Sequence, residues 1–246
     1  MAMLGCQAPR NPEPAPIRVA AAADLAPAFE EMRREFLEYP LTFSFGSSGL
    51  LATQLGQGAP FDVFAAADEN LVRQVVGAGA CDGRTSRFFA EGRIVIWTKR
   101  ESGPALTSLE SLSSERFKRV AIANPEHAPY GRAAKQALEK AGIWATMQPR
   151  IVFGENVRQA LQFAQSANAD AAIVALGVVA ADRDNPWLLI DSSMHRPIRQ
   201  ALVVCGRGEA HRGALSFVSF VSSARGQGIL RRYGFTVPTS APQHDP

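Results

Sequence analysis

IRVAAAADLAPAFEEMRREFL (17–37) passes from an apolar run straight into a helical pattern, and that transition decides the fold. IRVAAAA reads as a strand buried on both faces, since no polar residue alternates through its alanines. From Ala26 onward the apolar positions Ala28, Met32 and Phe36 recur at helical spacing, with charges on the other face. The same transition repeats downstream. LTFSFG (41–46) predicts a strand, followed by a helix over 49–57 that Gly58 and Pro60 stop. FDVFAAA (61–67) predicts a third strand, with a helix over 69–76 ending in GAGACDG (77–83). Strands alternating with helices predict a parallel sheet covered on both faces.

RIVIWTK (93–99) is a further apolar strand, leading into a Ser-rich link, SLESLSSERF (108–117), whose leucines pack a short helix. RVAIAN (119–124) restarts the alternation: helix 131–141, strand RIVF (150–153), helix 157–166 and strand DAAIVAL (170–176). IRQALVVC (198–205) is a late strand, and helices around 215–221 and 227–233 close the chain. The restart predicts two similar α/β lobes. If the middle segment is inserted between Trp97 and Ile198, the terminal elements return to the first lobe and leave two crossing strands as a hinge. The organisation expected is an N-terminal tether 1–16, a first lobe 17–97 plus 199–238, a second lobe 98–198 and a C-terminal tail 239–246.

Composition narrows the function. The 246 residues are 46% hydrophobic and 20% charged, which argues against disorder. The net charge of +3 is scattered, with no Lys/Arg block of the kind a nucleic-acid footprint needs. No apolar stretch reaches the roughly 20 residues that span a bilayer. Cys6, Cys81 and Cys205 have no metal-ligand spacing, so no zinc site is expected. Cys81 and Cys205 read as buried free thiols, with pairing in an oxidising compartment the alternative. The Pro-rich residues 1–16 read as a tether. Within it MLGC (3–6) resembles the cleavage site of a bacterial lipoprotein signal, in which the cysteine becomes the lipidated first residue. The apolar segment that precedes such a site is missing, so lipidation of Cys6 and coincidence both stay open.

Four segments share one design: VAAAADLAPAF (19–29), FSFGSSGLLATQL (43–55), VAIANPEHAPYGRAAKQAL (120–138) and FGENVRQALQFA (153–164). In each, a small neutral turn follows an apolar run and opens a helix. A helix start presents unpaired N–H groups and the positive end of the macrodipole, so several converging starts make an anion site without any charged residue. A tetrahedral dianion accepts hydrogen bonds and donates none, which backbone N–H groups and rotatable hydroxyls satisfy. Nothing assembles a nucleophile, base and orienter, and GxSxG and P-loop patterns are absent, so no enzyme is expected. His127 has no second imidazole or thiol beside it and reads as a structural or cleft-rim residue. Asp62 and Asp68 read as turn-bonding and capping residues.

GAPFDVFAAAD (58–68), NPEHAPYG (124–131), ENVRQAL (155–161) and RRYGF (231–235), in this order and at these spacings, resemble the periplasmic molybdate-binding proteins of ABC importers. The resemblance runs from about Ile17 to Val237. It implies the type II periplasmic-binding-protein fold, each lobe a mainly parallel sheet flanked by helices with a two-strand hinge. It implies capture of molybdate or tungstate between the lobes, without a cofactor or a direct metal ligand, for delivery to a membrane ABC permease from a periplasmic or extracytoplasmic station. A monomer is expected. The ligand-binding positions implied are Ala23, Asp24, Ser47, Ser48, Tyr130 and Val157, the last two through backbone amides. A tyrosine that reaches the oxyanion in some members matches Ala175, leaving Tyr130 as a substitute hydroxyl from another direction.

Asp24 stands where the family often has serine, and a carboxylate facing a dianion is repulsive. Three outcomes follow: the carboxylate caps the first helix and only its N–H faces the ligand; it is protonated and donates; or the ligand is another anion, such as sulfate, phosphate or an organic anion. The fold also serves as the effector domain of transcription regulators, which carry a helix-turn-helix upstream; residues 1–16 are too few to hold one.

Overall fold

The computed structural model describes residues 15–103 and 106–238. Cys6 and most of the tether, and the tail 239–246, lie outside the described residues. In chain order the elements are β1 (Ile17–Ala22), α1 (Ala26–Glu35), β2 (Leu41–Gly46), α2 (Ser48–Gly56), β3 (Val63–Ala66), α3 (Glu69–Gly77), β4 (Asp82–Gly92) and β5 (Ile94–Trp97). They continue with β6 (Val120–Ala123), α4 (Pro129–Lys140), α5 (Trp144–Met147), β7 (Ile151–Gly154), α6 (Val157–Gln165), β8 (Ala171–Ala175), β9 (Trp187–Leu189), β10 (Ile198–Val204), α7 (Glu209–Ser222) and α8 (Ala224–Arg232). A 3₁₀ turn, Ala23–Leu25, links β1 to α1, and another, Glu110–Ser113, carries the buried Leu112 of the Ser-rich link.

Two five-stranded sheets result, in the orders β2-β1-β3-β10-β4 and β7-β6-β8-β5-β9. Each has a parallel core, β1 between β2 and β3 in one and β6 between β7 and β8 in the other, with antiparallel strands added at one side. This is the two-lobed α/β architecture that the alternation predicts. Burial on both faces is visible along β1, β3 and β10. Val19, Ala21, Val63, Ala65, Leu202 and Val204 join the main core, whereas Ala20, Phe64, Ala66, Ala201 and Val203 pack under α2 and α3 with Leu51, Leu55, Val72 and Val75. On the main side Phe217 of α7 meets Phe29 and Phe36 edge-on at 5.6 Å, fixing α7 beneath α1.

The lobe boundary drawn after Trp97 moves. β5 pairs with β8 and β9 in the second sheet, so the chain crosses at Gly92–Arg93 and returns between β9 and β10. RIVIWTK reads as one apolar strand belonging with what precedes it because β4, a different strand ending just before it, has no legible period. β4 is an edge strand with two register irregularities against β10, and its residues run DGRTSRFFAEG. The three-residue edge strand β9 is likewise too short to show a pattern.

The reading of Cys81 and Cys205 as free thiols is also overturned: the two form a disulfide. β10 runs antiparallel to β4 with Val204 opposite Asp82, and this register brings the flanking cysteines together. Sequence separation hid the pairing, since the partners are 124 residues apart. Such a bridge persists in an oxidising compartment. Replacing both cysteines by serine is expected to lower unfolding stability by about 2–5 kcal/mol, because a long loop of the unfolded chain is no longer closed. Urea titrations with and without reductant measure the difference. Equal midpoints for wild type and double variant, both under oxidising conditions, would contradict it.

Candidate functional site

The C-terminal ends of the parallel strands of both sheets meet across one cleft, the usual place for a ligand in open α/β sheets. The pocket there has a cavity volume of about 10 Å³, room for about one water-sized group with the lobes in this closed arrangement. All six residues singled out in the sequence line it: Ala23, Asp24, Ser47 and Ser48 from the first lobe, Tyr130 and Val157 from the second. No lysine, arginine or histidine is among its lining residues, and Asp24 is the one formal charge.

Three helices begin at this pocket. Asn156 caps α6, its Oδ1 accepting the N–H groups of Arg158 (3.0 Å) and Gln159 (3.2 Å) and leaving the N–H of Val157 outside the cap. At the start of α4, Pro129 has no N–H, so Tyr130 presents the first amide of that helix. At the start of α2, the Ser48 hydroxyl accepts the Ala67 N–H at 3.0 Å, which occupies its acceptor side and keeps its own proton available. These donor-bearing residues line one pocket from both lobes.

The lobes are closed on each other around the pocket. Ser47 Oγ donates to the His127 carbonyl at 2.6 Å, and the N–H of Gly49 donates to the same oxygen at 3.0 Å. His127 Nδ1 lies 3.0 Å from Ser47 Oγ, so His127 is the cleft-rim residue expected and Ser47 uses its hydroxyl proton on the opposite lobe. A Cβ on Gly49 would stand 2.5 Å from the His127 oxygen, so only glycine lets α2 approach this closely. Asp68 caps α3 by accepting the Asn70 N–H and also takes Arg132 of the other lobe at 2.8 Å. Asp62 accepts the main-chain N–H of Arg18 at 2.8 Å and its guanidinium, tying β1 to the start of β3.

The deepest contact between the lobes is made by Asp24. Its side chain does not cap the first helix, the first of the three outcomes open to it: neither the 3₁₀ turn nor α1 has a side-chain cap. The carboxylate turns inward instead. Its Oδ2 accepts the Tyr130 hydroxyl at 2.8 Å and Gln200 Nε2 at 2.5 Å, while Gln200 Nε2 also lies 3.1 Å from the tyrosine oxygen. All three side chains are buried, Asp24 to 1% exposure and Gln200 to 0%. Gly92, at the hinge end of β4, makes room, since a Cβ there would overlap the tyrosine hydroxyl. The Tyr130 hydroxyl therefore serves Asp24, and the buried Ala175 leaves its own position without one. Burial pushes the Asp24 carboxyl up to about 6, against the lowering effect of Tyr130, Gln200 and its own backbone N–H, and pushes the Tyr130 phenol well above its ordinary value.

Gln200, Asn156 and the Ala67 amide belong to this site without having been singled out. Asn156 carried a readable signal, an N-cap residue directly before a helical pattern. Gln200 sits in an apolar strand of distant sequence and becomes meaningful only when β10 lands beside β3. Among the described residues no cluster of three or more His, Cys, Asp or Glu could hold a metal ion, and no helix is long and apolar enough to cross a membrane.

A family model described as "Bacterial extracellular solute-binding protein" matches residues 17–236. The molybdate-binding protein ModA of Rhodobacter capsulatus is 30% identical over 220 residues, which are 88% of this chain and 86% of that protein. ModA of Azotobacter vinelandii is 29% identical over 240 residues, 95% of this chain and 93% of the relative. The solved periplasmic molybdate-binding protein of Azotobacter vinelandii superposes with a TM-score of 0.83 at 27% identity, covering 90% of this chain and 99% of its own.

The Asp24 carboxyl gives the protein a pH signature. Because its folded value lies above the unfolded one, its contribution to stability is complete below about pH 4 and is lost as pH rises through about 6. Against Asp24→Asn, which keeps the shape without the charge, wild type should lose roughly 2–3 kcal/mol between pH 4 and pH 7. Paired denaturant titrations across that range check it. A difference that is flat with pH, or of opposite slope, would contradict the burial of an ionised Asp24.

Proposed function

We propose that this chain, which belongs to the bacterial extracellular solute-binding protein family, captures molybdate or tungstate between its lobes and delivers it to a membrane ABC permease. It is a solute-binding protein rather than an enzyme, and the oxyanion is its cargo, not a cofactor. One observation carries the reading: uncharged donors from both lobes converge on a pocket lined by no basic side chain. In this reading the Ser48 hydroxyl and the N–H groups of Ala23, Asp24, Tyr130 and Val157 bond the anion's oxygens, and Ser47 holds the lobes shut. Each helix start adds roughly 0.3–1 kcal/mol for a nearby anion, and up to ~2 where partly buried, so three starts plus hydrogen bonds support tight but releasable capture. The two halves of the site lie on different lobes, so the anion binds the closed arrangement better and draws the lobes together. The permease would read that closed arrangement.

The Cys81–Cys205 bridge accords with the extracytoplasmic station of the family. Anchoring through a lipid on Cys6 is supported by MLGC alone, outside the described residues, and the chain is taken to work as a monomer. A second reading, capture of a proton-bearing anion such as hydrogen phosphate, is favoured by the carboxylate of Asp24 in the pocket lining.

Molybdate at a hundredfold excess over its Kd should stabilise the protein by about 2.7 kcal/mol, raising Tm by roughly 5–10 °C, while a neutral sugar leaves it unmoved. Calorimetric titration with molybdate, tungstate, sulfate and phosphate ranks the anions; binding of none sinks the proposal. Ser48→Ala should weaken molybdate binding about 10- to 150-fold, as loss of a donor to a charged group does. Gly49→Ala should weaken it about tenfold or more by holding the lobes apart, with little change in the Tm of ligand-free protein. Unaltered affinity in the glycine variant would show that the contact with His127 is no part of closure.

A further inference from the structure

On the reading of the pocket as an oxyanion site, one atom in it is out of place. Asp24 Oδ2 is saturated by Tyr130 and Gln200, yet Asp24 Oδ1 is buried without any hydrogen-bond partner. A buried carboxylate oxygen with no donor is unfavourable. Molybdate makes the conflict worse, since it brings four further acceptor oxygens and two further negative charges. The three helix starts offer roughly +1.5 charge equivalents, against −3 for the dianion and carboxylate together. With Asp24 in the pocket lining, the anion's lone pairs would be brought beside those of its carboxylate. A single proton removes one negative charge and turns that contact into a hydrogen bond.

We infer that Asp24 Oδ1 and one oxygen of the bound anion share a proton taken from solvent, so that the pocket captures its oxyanion together with a proton. No covalent bond to the protein is made or broken. Free dianion, ionised Asp24 and one solvent proton become a complex carrying an O–H···O hydrogen bond, whichever oxygen holds the proton.

The surroundings leave Asp24 as the place where that proton enters. Tyr130 of α4 is already protonated and donates to Oδ2. On β10 the neighbour of Gln200, Arg199, pairs with Glu69 at 3.1 Å and Glu91 at 3.4 Å. On α1, Glu30 pairs with Arg33 and Glu31 with Arg232, while Arg34 and Glu35 lie in the last turn, away from the pocket. Arg158 is exposed on α6; β2 and the 3₁₀ turn Leu176–Val178 bring no titratable side chain. His127 touches Ser47, and Asp68 is paired with Arg132. Burial holds the Asp24 carboxyl near 6 before binding, so at pH 7 it is mostly ionised and able to take up the proton. Asp24 thereby favours molybdate, tungstate or phosphate, whose dianions are the stronger bases, over sulfate, the weakest base of the four.

The test is calorimetric titration of the full chain with sodium molybdate at pH 7 in Tris and in PIPES, whose different ionisation heats reveal protons exchanged on binding. Uptake of close to one proton per anion is expected, with Kd rising toward tenfold between pH 7 and pH 8. Uptake below about half a proton overturns the inference. Asp24→Asn places a neutral N–H donor where Oδ1 stands; it should take up no proton and hold its Kd within about threefold across that pH range. Wild-type-like uptake in that variant would overturn Asp24 as the location. Should the variant not fold, the wild-type proton count decides by itself. Molybdate binding without proton uptake removes the shared proton alone, whereas no binding heat and no thermal shift removes the oxyanion reading with it.

Discussion

Backbone N–H groups at the start of a helix have no partner within that helix, and the rest of this structure is arranged around that shortage. α2, α4 and α6 all begin at one pocket, and the side chains beside them are chosen to leave main-chain protons unused. Pro129 carries no N–H and leaves Tyr130 the first amide of its helix, Asn156 takes the second and third amides of its helix, and Ser48 accepts the Ala67 amide. Strand register performs the placement. β1 lies between β2 and β3, and β6 between β7 and β8, so parallel neighbours deliver their C-terminal turns to the same edge.

Closure follows from the same geometry. The polar contacts joining the lobes at the cleft are Ser47 and Gly49 on the His127 carbonyl, Arg132 on Asp68, and Tyr130 on Asp24, beside an apolar cluster that runs through both lobes. The half-buried pair Arg132–Asp68 contributes modestly, on the order of 1 kcal/mol. The buried triad is different, because charge-assisted hydrogen bonds are about twice as strong as neutral ones, yet the ionised carboxylate pays for its loss of water. The desolvation cost of the carboxylate therefore offsets part of what its two hydrogen bonds contribute to holding the lobes together.

Much of this was legible in the sequence. The uninterrupted alanines of β1, the GSSG turn before α2 and the PYG start of α4 carry their local chemistry openly, and the alternation placed the long helices while the four-residue α5 went unread; the six candidate ligand residues came from the family resemblance, and all six line the pocket. What stayed hidden were consequences of register. β4 shows no period because it is an irregular edge strand, so the first crossing between lobes was set too late. Gln200 had no reading of its own inside an apolar strand, and capping was one of three outcomes open to Asp24, since the long-range contact between them spans 176 positions. Cys81 and Cys205 met for the same reason.

That disulfide lies at an informative place. It staples the ends of β4 and β10 farthest from the lobe crossings, while the opposite ends of the same two strands, Gly92 and Ile198, lead directly into them. Sliding of one strand along the other would shift the two pivots relative to each other and let the jaws shear as they shut. With the far ends welded, both pivots keep a common baseline, so any swing of the second lobe would turn about a fixed axle and return the starts of α4 and α6 to the same spot.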